Sequence, residues 1–252
     1  MRRQVELFLS ALQFLTRLPV PALARFEPHW TTRSARYFPL VGQIVGGLSA
    51  LTLLGAAQLW PAWVAALLAI GVGVLITGAF HEDGLADTAD GLGGGQTVER
   101  RLEIMKDSRV GTYGVLALIL PLGLKVAVLA SLPPVTAACA LLAAHGLGRA
   151  AAVIAMRLTP YAVAGEAGKW KPVPQGVHTG EAAFAVVTSL WPLVLLPWTA
   201  GAAGLALGAL FALALALLAK RLIGGHTGDV LGGVEQLFEL GFLLGLSAAL
   251  LA

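Results

Sequence analysis

Apolar residues run along this chain in long unbroken stretches, not in alternating or narrowly helical stripes. Continuous apolar runs occupy roughly 39–60, 61–80, 112–131, 133–156, 182–198, 200–219 and 232–252. A helix that crosses the hydrocarbon core of a bilayer needs about 20 such residues, so the pattern predicts seven transmembrane helices. The segment 4–18 (QVELFLSALQFLTRL) is apolar but interrupted by Glu6, Gln13 and Arg17, and Pro19 and Pro21 end it. It reads as an amphipathic helix lying in the membrane interface. Polar residues collect in four segments, 1–38, 81–111, 157–181 and 220–231, which a seven-span topology places on one side. The expected fold is an all-α polytopic bundle: one integral-membrane domain over residues 1–252, with an N-terminal interfacial helix.

Composition agrees with that pattern. The 252 residues are 57% hydrophobic and 12% charged, with a mean hydropathy of +0.80. Soluble domains carry roughly 25% charged residues, so this chain has too few to coat a globule. Its 31 Gly suit close approach of helices in lipid. A water-soluble, disordered or nucleic-acid-binding protein is excluded, despite the net charge of +3. The placement of charge matters more than its sum. Fifteen of the 17 Lys and Arg fall in the four polar segments, and the exceptions, Lys125 and Arg149, sit inside predicted spans. By the positive-inside rule the N-terminus and the long loops are cytoplasmic, as expected of a bacterial or archaeal inner-membrane protein. Trp30, Trp60, Trp63, Trp170, Trp191 and Trp198 lie near span ends, where interfacial aromatics belong. No small-residue cleavage site follows the first apolar stretch, so no removable signal peptide is expected. The lone Cys139 allows neither an intramolecular disulfide nor a cysteine-built metal site, and is expected to be a small buried apolar group.

The acids carry the chemistry. All 14 are expected in or beside the cytoplasmic segments and none in the middle of a span; seven lie between Glu82 and Asp107. If the second span continues as helix through HEDGLADTADGLGGG (81–95), Asp83, Asp87 and Asp90 share one stripe. Near a helix C-terminus three carboxylates repel one another and the dipole disfavours them, so a cation is needed. Hard carboxylate oxygens suit Mg²⁺, which is commonly held by a few carboxylates plus substrate phosphates. In ERRLEIMKDSRVGTYG (99–114), Glu99, Glu103 and Asp107 recur at four-residue spacing among Arg100, Arg101, Lys106 and Arg109. That mixture suits a metal-bound phosphate gripped by cations, although plain ion pairing explains residues 99–103 equally well. In GGHTGDVLGGVEQLFE (224–239), His226, Asp229, Glu235 and Glu239 lead into the last span. Asp229 is a candidate metal ligand or general base, and the Thr227–Gly228 backbone could approach a phosphate. His145 and Arg149 share a face of the fourth span, either closing on the acidic site or snorkelling. The Gly/Pro-rich stretch 165–178 suits a substrate loop or a plain connector, and Arg33 and Arg36 suit lipid headgroups.

The string HEDGLADTADG at 81–91, followed by MKDSRVGTYG at 105–114 and HTGDVLG at 226–232, resembles the cobalamin synthase family, the adenosylcobinamide-GDP ribazoletransferases. FLTRLPVP at 14–21 and YFPLVG at 37–42 fit the same pattern. The likeness runs from about residue 8 to 239, nearly the whole chain. It implies an inner-membrane, Mg²⁺-dependent enzyme that joins adenosylcobinamide-GDP to α-ribazole or α-ribazole 5′-phosphate. The ribose 3′ hydroxyl attacks the phosphorus joined to cobinamide, and GMP leaves. On that basis the expected metal ligands are Glu82, Asp83, Asp87, Asp90 and Asp107. Lys106, Arg109, His81, His226, Thr227 and Gly228 are expected to bind substrate, and Asp229, Asp87 and Arg109 to be catalytic. The bilayer is a partner, nucleic acid is not, and the chain could assemble with copies of itself.

Two other readings use the same residues. Asp87, Asp90 and Gly91 give the DxxDG opening of the membrane CDP-alcohol phosphotransferases, but the Ala-Arg pair that should follow is missing, and Glu99 and Glu103 stand where Asp is wanted. A cation transporter would place its carboxylates at the bilayer midplane on broken helices, whereas here they are expected along one cytoplasmic rim.

Overall fold

Without water to satisfy them, backbone amides in a bilayer must pair within their own segment, and each long apolar run here becomes a helix. The computed structural model describes residues 2–21, 30–162 and 176–252. In chain order the helices are α1 (Arg2–Leu15), α2 (Trp30–Ser34), a 3₁₀ turn (Ala35–Tyr37), α3 (Phe38–Ala56), α4 (Ala62–Thr77), α5 (Phe80–Gly94) and α6 (Val98–Ile104). Then follow α7 (Thr112–Ser131), α8 (Pro134–Leu158), α9 (Thr179–Leu190) with a 3₁₀ extension (Trp191–Leu195), α10 (Trp198–Ile223) and α11 (Gly228–Leu251). Among the described residues there is no strand, only an isolated parallel bridge between Tyr161 and His226. The molecule is a helical membrane bundle.

Among the described residues, five helices are long and apolar enough to span: Thr32–Ala56, α7, α8, α10 and α11. The other two expected spans differ. α4 stops at Thr77 and forms with α5 a pair bent by 89°, a broken span or a re-entrant loop, while Thr179–Leu195 is a shorter apolar unit. At 1.5 Å per α-helical residue and about 2 Å per 3₁₀ residue, these two reach about 24 and 28 Å, against a core of about 30 Å.

The break has a local cause. Gly78 and Ala79 both take left-handed backbone angles (φ 67° and 59°), and Ala79 is the one described non-glycine residue to do so. The guanidinium of Arg17 lies against Gly78, and the Arg17 amide donates to Ile76 O at 2.7 Å. The acidic string therefore does not prolong the second span, as the sequence pattern suggests; it opens a new helix. Glu82 and Asp83 lie in the first turn of α5, where the dipole favours anions.

Helix α11 is the axis of the bundle, packed against α5, α8 and α10. Glycines bring it close: a Cβ on Gly208 would stand 2.9 Å from Phe238 O, and one on Gly241 2.7 Å from Leu207 O. Around this centre, α7 and α10 expose Leu116, Ile119, Leu120, Leu210, Leu213 and Leu217, as lipid-facing helices do. Trp60, Trp63, Trp191 and Trp198 are exposed at or beside helix ends. Cys139 is only partly buried. Trp170 and most of the stretch 165–178 fall outside the described residues, as do residues 25–29 of the segment before the first span.

Candidate active site where the acidic helix crosses the last helix

Two glycines bring distant motifs onto one seam. A Cβ on Gly84 of α5 would stand 2.8 Å from Asp229 O, and one on Gly232 of α11 would stand 3.1 Å from His81 O. The backbones of HEDGLADTADG and HTGDVLG are thus in direct contact, although some 140 residues separate them. Along α5, Asp83 is exposed, Asp87 half-buried and Asp90 buried, so the stripe runs from the surface into the protein. Thr227 caps α11: its hydroxyl oxygen accepts from Val230 N at 3.2 Å, and its O–H reaches Asp229 Oδ2 at 3.4 Å. Asp229 follows in the first turn, again at the favourable end of a helix dipole.

Asp90 accepts two backbone amides at the start of α7, Gly111 N at 2.7 Å and Gly114 N at 2.9 Å. A Cβ at Gly111 would stand 2.5 Å from its Oδ1, and one at Gly114 would also collide with the carboxylate. Asp90 therefore ties the Lys106–Arg109 loop to the acidic helix. That loop departs from the expected stripe. Helix α6 ends at Ile104, so Asp107 lies beyond it and does not continue the face of Glu99 and Glu103. Instead Asp107 pairs with Arg109 at 2.6 Å, and Arg100 pairs with Glu103 at 2.7 Å. The Arg109 hydrogen bonds hold the Asp107 carboxyl at about 2, below the usual carboxylate range. Lys106 and Arg109 are exposed, Arg109 with its guanidinium on Asp107.

His226 is buried beside the seam. Thr159 donates its hydroxyl to Ala155 O at 2.8 Å, so its oxygen accepts from His226 Nδ1, also at 2.8 Å. That leaves Nε2 with the lone pair, buried and without a hydrogen-bond partner. Burial is the main cause that lowers the imidazole to about 4, so it is neutral near pH 7. Tyr161 packs edge-on against it at 5.6 Å between centroids; its hydroxyl is raised above its ordinary value by burial and then by the charge of Asp229. These residues line a cleft of about 390 Å³ with Arg157.

Beneath the seam lies a set of ionisable groups that the sequence pattern misplaces. Glu235 and Glu239 were expected beside the membrane rim, yet both are buried within α11, among the bundle's charges. Arg149 NH1 meets Glu235 Oε1 at 2.5 Å, and His145 Nδ1 meets Glu239 Oε1 at 2.8 Å, so these two neither snorkel nor reach the exposed acids. Lys125 Nζ donates to Glu239 Oε2 at 2.6 Å and to Gln236 Oε1 at 2.7 Å. Two members belong to the acidic string itself. Gln236 Nε2 donates to Glu82 Oε1 at 3.0 Å, and His81 Nδ1 lies 3.2 Å from Glu235 Oε2. The signal that could have found this set is the intramembrane charge of Lys125 and Arg149, which needs buried anions as partners.

Which groups fit a metal follows from this placement. Asp83 and Asp87, with Asp229 across the seam, offer hard oxygen donors open to a substrate phosphate, and that donor chemistry fits Mg²⁺. Asp83, Asp87 and Asp229 do not converge closely; among the described residues, the one set of three or more His, Cys, Asp or Glu groups whose ligand atoms come within 4.8 Å of one another is His145, Glu235 and Glu239. There, however, the cations of Arg149 and Lys125 already neutralise the two carboxylates, which does not suit a divalent ion.

Comparison with known proteins places the chain. Residues 7–247 match the family model described as cobalamin-5-phosphate synthase. An adenosylcobinamide-GDP ribazoletransferase of Leptothrix cholodnii is 47% identical over 251 residues, covering 96% of this chain and 95% of that one. Proteins of the same name from Shewanella amazonensis and Vibrio cholerae are 45% and 41% identical, covering 95% of this chain and 94% and 92% of their own. No solved structure matches. The chain belongs to the cobalamin-5-phosphate synthase family.

Proposed function

From that membership and the α5–α11 seam, we propose that the chain transfers cobinamide phosphate from adenosylcobinamide-GDP to α-ribazole or its 5′-phosphate, with Mg²⁺. The ribose 3′ hydroxyl attacks the phosphorus joined to cobinamide. The new P–O bond forms as the bond to the bridging oxygen breaks, and GMP departs with that oxygen. Asp83 and Asp87 hold the metal, which when bound neutralises charge on the diphosphate. Asp229 takes the proton of the attacking hydroxyl from across the seam. Lys106 and Arg109 grip the departing phosphate, an arrangement worth most where charge develops. Asp90 acts by holding their loop through the Gly111 and Gly114 amides. The site faces the cytoplasm, on the side of the four basic segments.

What supports this reading best is the backbone contact of Gly84 with Asp229, which sets the acidic string against the TGD turn. The test is GMP release by detergent-solubilised protein given both substrates. Release should require Mg²⁺, stop with EDTA and depend on ribazole. Asp87→Asn should lower kcat at least 100-fold with the melting temperature kept within a few degrees. An active Asp87→Asn protein would overturn the metal assignment.

A further inference from the structure

The seam between α5 and α11 is smooth. Its glycines approach backbone closely, Gly84 on Asp229 and Gly232 on His81, while the Leu85 side chain lies against Gly233 in ordinary contact. Upstream, α5 follows two left-handed residues and an 89° bend and starts without a side-chain cap, with Phe80 packed on Phe14; near its far end Asp90 accepts the Gly111 and Gly114 amides of α7. Two polar grips lie at the first turn of α5: His81 on Glu235 at 3.2 Å, and Glu82 on Gln236 at 3.0 Å. Both are anchored deeper. Glu235 is held by Arg149 at 2.5 Å, and Gln236 by Lys125 at 2.7 Å. Buried ionic groups are poor sources of stability, since apolar replacements pack as well, and their best-attested use is to specify register.

We propose that Gln236 and Glu235, backed by Lys125 and Arg149, are positioning residues that set the rotation of α5 and so aim Asp83 and Asp87 at the substrate diphosphate. The inference rests on the metal assignment proposed above. It gives Glu82 the part of a hydrogen-bond acceptor for Gln236 in place of the metal ligand expected from the sequence. Displacing Asp83 by even an ångström matters for in-line transfer, so the loss should appear in catalysis and metal affinity before it appears in folding.

The experiment exchanges the two partners. In Gln236→Glu two carboxylates face each other where an amide met a carboxylate. In the double variant Glu82→Gln/Gln236→Glu the amide donates from the other side, and Lys125 keeps an anion. Mn²⁺ binding by electron paramagnetic resonance serves as a readout independent of turnover. Gln236→Glu should weaken Mn²⁺ binding about tenfold and lower kcat at least 30-fold, with the melting temperature within a few degrees of wild type. The exchange should restore both to within about threefold. Because Gln236→Glu alone could fail to fold, Gln236→Leu is measured beside it and should show the same loss.

A double variant as impaired as Gln236→Glu, or a Gln236→Leu protein that binds Mn²⁺ and turns over like wild type, would overturn the proposal. Asp87→Asn separates the two levels. If it abolishes Mn²⁺ binding while the Gln236 variants behave as wild type, only the positioning role fails. If it leaves Mn²⁺ binding intact, the metal assignment itself fails.

Discussion

Single side chains at this seam are defined by what they cannot do as much as by what they can. His226 has its Nδ1 proton committed to Thr159 and its Nε2 buried, so it resists protonation. Its folded value of about 4 lies below the ordinary 6.5. Above pH 6.5 the ring is neutral in both folded and unfolded chains and contributes no pH dependence. Between 6.5 and 4 the unfolded chain takes up a proton that the folded one does not, so stability falls as pH falls, and below 4 the effect levels off. The full loss from this group is on the order of 3 kcal/mol. Thermal unfolding of the solubilised protein from pH 7 to 4.5 should show the decline, and His226→Asn should flatten it. An unchanged slope in that variant would mean that other groups carry the acid sensitivity. Asp107 shifts in the same direction but in a lower window: held at about 2 by Arg109, it stays ionised throughout this range and adds little to the decline.

At the scale of helices, the closeness of α5 and α11 is the feature on which the site depends. Gly84→Ala would place a methyl 2.8 Å from a carbonyl oxygen, a contact that only backbone movement can relieve. Forcing volume into packed structure commonly costs about 1–3 kcal/mol, and here the displaced element carries Asp83 and Asp87. The expected result is a melting temperature lowered by several degrees and a kcat lowered about tenfold or more. Gly55→Ala, in α3 and with nothing within 4 Å of the added methyl, is the matched control and should change neither. This crossing also marks where sequence reading stops. Apolar run length told where helices form, because it reports directly on the need to bury backbone in lipid. It did not tell that Gly78 and Ala79 turn left-handed, since alanine carries no signal for that conformation and Arg17, which packs there, is some 60 residues away. The acidic string stood out because seven of the 14 acids crowd between Glu82 and Asp107. That Glu82 points to Gln236, and that Glu235 and Glu239 pair with Arg149, His145 and Lys125, depends on how four helices meet, which no local pattern encodes.

For the whole molecule, the charge distribution argues for seven crossings of the bilayer. Among the described residues, five helices are long and apolar enough to cross. If neither α4 nor Thr179–Leu195 crossed, the basic segments 81–111 and 157–181 would not share a side with 1–38 and 220–231. Fifteen of 17 cations would then be split across the membrane, against the positive-inside rule. Both short units can cross if the bilayer thins locally or flanking residues snorkel, at fractions of a kcal/mol per Å of mismatch. α4 is bounded by exposed Trp60 and Trp63 at one end and by the acidic helix at the other, and the bent α4–α5 pair is a broken span or a re-entrant loop. In a Cys139→Ala background, Leu59→Cys and Gln96→Cys place single exposed thiols beyond the two ends of the α4–α5 pair. A membrane-impermeant maleimide should label the Leu59 variant in cells with a permeabilised outer membrane, and the Gln96 variant only in inverted vesicles. Labelling of both from one side would make α4–α5 a re-entrant loop, and the acidic helix would then lie on the face opposite to the one its neighbouring cations require.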